Sequence, residues 1–313
     1  GPSSGGQAPL DGRGYRVSGL YMSAASKEQL AALFASAYDA VIKNLAVEID
    51  PRGVAAYNDD AEGDYAYAAG LVGDSRDTDY INCYVTGGPV SATGAAPYAG
   101  GLVGYLVNHK ENRVLKCFST CSVSAESTQS TASNICMAAG LIGELESGNG
   151  YQTTTLSRCY ATGNVSINYP GGSTGAGGTQ AGGLLGSGSR LEISDCFALG
   201  EVNARRGVTT TTSSAFVGGL GGWLIDTSLE RCYAAGNVSG GSKSHVGGLA
   251  AASVSDSYCY RVNQSVQGTS YHNDGESIAD SWEQSSYEGF DFTSTWTFTE
   301  GAFRGLPHLQ YQE

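Results

Sequence analysis

"AGGLVG", residues 99–104, is the stretch on which the fold turns. Near-copies stand at 68–73 ("AAGLVG"), 138–143 ("AAGLIG"), 181–186 ("AGGLLG"), 217–222 ("VGGLGG") and 246–251 ("VGGLAA"). Their leucines, Leu71, Leu102, Leu141, Leu184, Leu220 and Leu249, lie 29 to 43 residues apart. A second element follows each: "INCYVTG", "LKCFST", "SRCYATG", "SDCFALG", "ERCYAAG" and "DSYCYRV", carrying Cys83, Cys117, Cys159, Cys196, Cys232 and Cys259. The leucine-to-cysteine distance is 12 residues in three copies and 10, 15 and 18 in the others. A third element, such as "NVS", "EVN" or "SVS", often comes next. A degenerate first copy precedes these, with "AALFAS" at 31–36 and "IKNLAVEI" at 42–49, where Leu45 holds the cysteine place 12 residues after Leu33. Seven copies therefore cover most of residues 10–265.

Self-similarity at such a period is the mark of a repeat architecture, in which each unit buries its apolar face only against its neighbours. Each copy offers about three short strands, and Gly/Ser/Thr excursions such as "YPGGSTGAGGTQ" (169–180) vary between them. This predicts an all-β, parallel, right-handed β-helix with one turn per copy. At ~4.8 Å between stacked strands the core would be a rod of about 34 Å. The small residues before each leucine allow close backbone approach, and the glycines after it are expected at positive-φ bends. A β-propeller is the alternative, since the unit length also suits a blade. Three strands instead of four, and the uneven unit length, favour the β-helix.

Composition agrees. Glycine is 46 of 313 residues and tyrosine (19) far outnumbers phenylalanine (8), while charged residues are only 15%, a profile of short strands and tight turns. An apolar share of 41% in regular clusters argues against disorder. The net charge of −13 leaves no basic stripe to displace counterions, which argues against a nucleic-acid partner. The acidity suits a soluble extracellular surface and would attract calcium or basic ligands. No apolar run reaches the ~20 residues of a membrane-spanning helix. The opening "GPSSGG" reads as an expression scar or linker (1–9), so the chain is expected to be an excised fragment.

The motifs "GGLVG…NCYVTG", "GGLLG…DCFALG" and "RCYATGNVS" resemble the GLUG-motif repeat of large secreted bacterial surface proteins. That group includes adhesin-like proteins and the non-catalytic regions of IgA-cleaving metalloproteases. "LDGRGYRVSGLYM" (10–22) is similar to the usual opening of such regions, and "GFDFTSTWTFTEGAFRGLPHL" (289–309) to their usual close. The resemblance covers nearly the whole chain. It departs at Leu45, which replaces a cysteine, and at Ala250 and Ala251, which replace a late glycine. It implies an architecture and a secreted or cell-surface, cell-wall-attached location, and it implies no particular activity.

Six of the eight cysteines share one repeat position, so stacking places them in a column about one strand spacing apart. Their parallel Cβ vectors suit disulfides poorly. The expectation is a buried ladder of reduced thiols acting as small apolar fillers, as Leu45 in the first copy indicates. Cys121 and Cys136 lie outside the ladder and bracket "SVSAESTQSTASNI". They are read as a disulfide closing a loop of about 15 residues, worth ~3 kcal/mol on the chain-entropy model, or else as two more buried thiols. The residue after each ladder cysteine is aromatic: Tyr84, Phe118, Tyr160, Phe197, Tyr233 and Tyr260. Alternation along a strand turns this column outward if cysteine points in. It would stack on sugar rings if open, or stabilise the sheet and be covered by excursions.

No enzyme signature emerges: HExxH, a Walker loop and a plausible GxSxG elbow are all absent. The chain has no CxxC pair, and His109, His245, His272 and His308 are scattered, so a zinc site is not expected. "YNDDAEGDY" (57–65) and "GDSRDTDY" (73–80) gather Asp59, Asp60, Glu62, Asp64, Asp74, Asp77 and Asp79. These read as solvated acidic loops, with structural calcium as the sharper alternative and polysaccharide cleavage by carboxylates the remotest. No other cofactor is implied. Open solenoid ends need capping. "SKEQLAALF" (26–34) has the apolar spacing of a short helix, as has "ESIADSWEQSSY" (276–287), and 266–313 reads as a C-terminal cap rich in Trp and Phe. The functional expectation is a non-enzymatic recognition module or stalk, bound to host glycan or glycoprotein, immunoglobulin included, and joined to neighbouring domains of a larger protein. The alternative is the substrate-positioning accessory region of a secreted IgA-type metalloprotease.

Overall fold

The computed structural model describes residues 9–23, 29–58, 65–128, 135–148, 152–169, 178–206, 215–241, 244–252, 254–268, 270–272, 275–278 and 281–312. The chain is all-β and its sheets are almost wholly parallel. The second to sixth copies each contribute five short strands, two more than the three their motifs display. The second copy shows the pattern: Tyr65–Ala69 before the leucine, Val72–Arg76 after it, Asp79–Ile81 before the cysteine, then Tyr84–Gly87 and Val90–Gly94. Each strand pairs in parallel with its counterpart in the next copy, as in Tyr67↔Tyr98, Asp74↔Tyr105, Tyr80↔Val114, Tyr84↔Phe118 and Val90↔Val123. The result is four long ladders, of 8, 15, 8 and 6 strands, in a β-helix-like arrangement. A β-propeller needs antiparallel blades, so the parallel register rules that alternative out.

The core runs along the axis. Leu71, Leu102, Leu141, Leu184, Leu220 and Leu249 are all buried, as is the column of Val90, Val123, Val165, Val202 and Val238 from the fifteen-stranded sheet. The glycines of the repeat do something other than bend the chain through positive φ. None of those in the six glycine–leucine elements has positive φ. They are small because backbones meet there: a Cβ on Gly183 would lie 2.1 Å from the Gly219 carbonyl oxygen of the next copy. The left-handed corners fall to non-glycine residues. The residue before each ladder position, Asn44, Asn82, Lys116, Arg158, Asp195, Arg231 and Tyr258, has φ between 51° and 54°. Stacking repays this strain rung by rung, for example through Asn82 Nδ2 donating to Asn44 Oδ1 at 2.9 Å.

Both expected terminal helices are absent from the described residues. Leu30–Ala31 and Phe34–Tyr38 are strands, paired with Tyr67–Ala68 and with Val72–Arg76, while 24–28 lies outside the described residues. Glu276–Ile278 is likewise a strand on Tyr260–Val262, followed by a single 3-10 turn at Gln284–Ser286. An isolated helix of two or three turns is marginal in water, and the hydrogen bonds of an open sheet edge outweigh it. Stacking therefore continues past residue 265 to Ile278. Only 281–312 folds differently, around an antiparallel pair, Trp296–Thr297 with His308–Leu309. Among the described residues, no helix is long and apolar enough to cross a membrane.

Candidate functional site

The six ladder cysteines are buried and carry free thiols. The Cys117 and Cys159 backbone N–H groups donate to the sulfurs of Cys159 and Cys196 at 3.4 and 3.3 Å, so the column runs along the stack. Burial pushes the Cys117 and Cys196 thiols up, which keeps them neutral fillers. Cys121 and Cys136 do not form the expected disulfide. Both are free and fully buried, Cys121 in the turn ahead of Val123–Ser127 and Cys136 opening the strand Cys136–Ala139. Each fills a core position in its own sheet, and burial raises the Cys121 thiol to about 11.

The aromatic column does point away from the core, and its rings stack with centroids 4.5 to 5.1 Å apart from Tyr84 through Phe118, Tyr160 and Phe197 to Tyr233. It is not an open face. The segment 281–312 lies across it, burying Tyr160, Phe197, Tyr233 and Tyr260 to 3% exposure or less. Phe303 meets Tyr160 and Phe197 edge-on, and Trp296 packs on Phe197 and Tyr233. Tyr233 Oη donates to the Pro307 carbonyl at 2.5 Å and Tyr260 Oη to that of Glu288 at 3.1 Å. Asp195 anchors the segment by accepting from Trp296 Nε1 at 3.1 Å and pairing with the Arg231 guanidinium at 2.8 and 3.0 Å. Only Tyr84 and Phe118 stay half-buried at the column's end. The column is thus the docking surface for the cap, and sugar stacking along it is excluded for the four covered rings.

The acidic residues are not gathered either. Asp59, Asp60, Glu62 and Asp64 lie outside the described residues. Asp74 accepts from Tyr38 Oη at 2.6 Å, Asp77 from the His109 backbone N–H at 2.6 Å, and Asp79 from Asn112 Nδ2 and the Arg113 backbone N–H, both at 2.9 Å. These three hold neighbouring turns together. Among the described residues no group of three or more His, Cys, Asp or Glu is placed to hold a metal ion.

The exposed aromatic face lies elsewhere, at the corner between the strands before and after the repeat leucine. Tyr67 and Tyr98 occupy the position four residues before their leucines, and Asp74, Tyr105 and Glu144 the position three after. Parallel register then stacks Tyr67 on Tyr98, and Asp74, Tyr105 and Glu144 in a line beside them. The rings of Tyr65, Tyr67, Tyr98 and Tyr105 contact one another with centroids 5.3 to 6.0 Å apart. Tyr98 and Met137 form the buried floor, Tyr67 and Tyr105 are half-buried, and Tyr65 is 49% exposed. Tyr105 Oη donates to Glu146 Oε2 at 3.2 Å. Burial, and then the neighbouring Glu146, push the Glu144 carboxyl up to about 7. Farther along the same corner Phe216 stacks on Trp223 and His245 at 5.5 and 5.0 Å. Sequence reading missed this corner because it followed the constant motif and not its variable flanks. The signal was present in the aromatic residues that recur at those two offsets.

Glu144 gives a pH test. Its raised carboxyl means the folded chain holds a proton between about pH 4.5 and 7 that the unfolded chain has released, so stability falls with rising pH across that window. The ionised group then costs about 3 kcal/mol at most above pH 7. Glu144→Gln is expected to flatten this limb, stabilising the protein at pH 8 and changing little at pH 4. Equal denaturation midpoints for the variant and the parent at pH 8 would contradict it.

No family model matches the chain. It is 31% identical over 179 residues to halomucin of Haloquadratum walsbyi, a match that spans 56% of this chain and 2% of halomucin. Its structure is similar to the crystal structure of a Bacteroides ovatus protein provisionally described as an immunoglobulin A1 protease, with TM-score 0.50, 17% identity, and coverage of 89% of this chain and 87% of the other. At that identity the likeness is one of fold: this chain shares an all-β, parallel-stranded architecture with that protein.

Proposed function

We propose that the chain is a non-catalytic recognition module, a right-handed solenoid of seven GLUG-type repeats within a secreted, surface-exposed bacterial protein, which presents an aromatic face to host glycan or glycoprotein. The observation that carries this reading is the tyrosine corner, with Tyr65 exposed and Tyr67 and Tyr105 half-buried, flanked by the carboxyl groups of Asp74, Glu144 and Glu146. Flat rings beside fixed acceptors are suited to a sugar's apolar C–H face and its hydroxyls. Tyr67→Ala and Tyr105→Ala are expected to abolish binding on a glycan array while the circular dichroism spectrum is kept. Undiminished array binding by both variants, or no array binding by the parent, would overturn the reading.

The similarity to the Bacteroides ovatus protein favours a second reading, in which the module is an accessory region that positions substrate for an IgA-type protease. In that case the chain captures immunoglobulin A in a pull-down and the array stays blank.

A further inference from the structure

The cap encloses a second feature that the repeat does not explain. Between the segment 281–312 and the last copies lies a cavity of about 240 Å³, with Trp282, Arg304, Glu201, Asn237, Asn263 and Ser281 on its walls. Trp282 is 62% exposed, unusual for an indole. Its ring rests on the backbone of Gly305, where a Cβ would come within 2.3 Å of Cζ3. Arg304 beside it is held at φ 58° and ψ 24°, a left-handed conformation that costs a non-glycine residue free energy. Its guanidinium has no ion pair or hydrogen bond among the described residues. On the facing wall the Glu201 carboxylate is equally unengaged, and Asn237 spends only its Oδ1, on the Ser265 backbone N–H at 2.9 Å. Ser281 closes the wall from behind: it is fully buried, its Oγ exposes no surface to the cavity, and its carbonyl accepts from Tyr287 Oη at 3.2 Å. The polar groups open to a ligand are those of Arg304, Glu201, Asn237 and Asn263, all exposed.

We propose that this cavity is a binding subsite for a single neutral pyranose ring. A free cation opposite a free anion gives walls of zero net charge, which disfavours a charged ligand. Donors (Arg304, the amide N–H groups of Asn237 and Asn263) share the walls with acceptors (Glu201 and the Asn263 side-chain carbonyl), and a hydroxyl can meet either kind. The indole provides the flat apolar platform for the sugar's C–H face. The volume lies below the ~300 Å³ of pockets for larger ligands, so it admits one ring. This inference rests on the reading of the chain as a glycan-recognition module, but at a site separate from the tyrosine corner.

The test uses the full chain, following the Trp282 indole Nε1–H signal by two-dimensional NMR and assigning it by its loss in Trp282→Phe. Methyl β-D-galactopyranoside, methyl α-D-mannopyranoside, methyl N-acetyl-β-D-glucosaminide and, as the charged probe, glucuronate are titrated to about 50 mM, the range of weak single-ring affinities. A saturable shift is expected with at least one neutral glycoside, weakened tenfold or more in Arg304→Gln and in Glu201→Gln with the folded spectrum retained. No saturation by any neutral glycoside, or tighter binding of glucuronate than of all three, overturns the proposal. The array result for Tyr67→Ala and Tyr105→Ala is an independent readout. A blank array with a positive titration refutes the corner and not the cavity, and the reverse result refutes only the cavity.

Discussion

Trp296→Ala is expected to destabilise the protein by about 3–5 kcal/mol and to release the segment 281–312 from the aromatic column. Trp296 is the largest fully buried side chain of the cap. Its ring lies within 4.6 Å of Phe290 and about 6 Å of Phe197 and Tyr233, centroid to centroid. Its Nε1–H is also a partner of Asp195, so truncation empties a large volume and removes a charge-assisted hydrogen bond together. Undocking would bare Tyr160, Phe197 and Tyr233, so the variant should bind a hydrophobic dye and be cleaved by protease between 281 and 312. The stacked copies should keep their strand signal in circular dichroism. A variant with the parent's denaturation midpoint and protease resistance would show that the cap does not depend on this residue.

Gly183→Ala is expected to be at least as damaging, for a different reason. The added Cβ would sit 2.1 Å from the Gly219 carbonyl oxygen and 2.7 Å from the Ala198 Cβ. No rotamer relieves a contact with backbone, so the two rungs must separate, breaking the ladder that passes through Gly182↔Gly218. Overpacking of this kind costs about 3 kcal/mol or more. Gly301→Ala is the control, because its Cβ meets nothing within 4 Å and only φ +76° opposes it. That variant should lose about 1–2 kcal/mol. Equal losses in the two variants would show that the close approach at Gly183 is not what fixes glycine there.

The repeat was legible because a parallel stack imposes the same demand on every copy. Leu71 to Leu249 and Cys83 to Cys259 recur since each faces the same neighbours one rung away. That periodicity determined the strand stacking, the parallel register and the buried cysteine column. It could not reveal the strands before each leucine or cysteine, where the sequence varies, so three strands were read where five form. Nor could it decide what lies over an outward face. Tyr84 and Tyr233 occupy the same repeat position, yet one is half-buried at the open end and the other is sealed beneath Trp296 and Pro307. Local sequence fixes the direction of a side chain through strand alternation, whereas its exposure depends on residues far along the chain, Pro307 lying 74 residues from Tyr233. The same limit hid the tyrosine corner and the Trp282 cavity. The corner is built from residues that meet only when the copies stack, and the cavity from residues that meet only when the cap closes on the last copies.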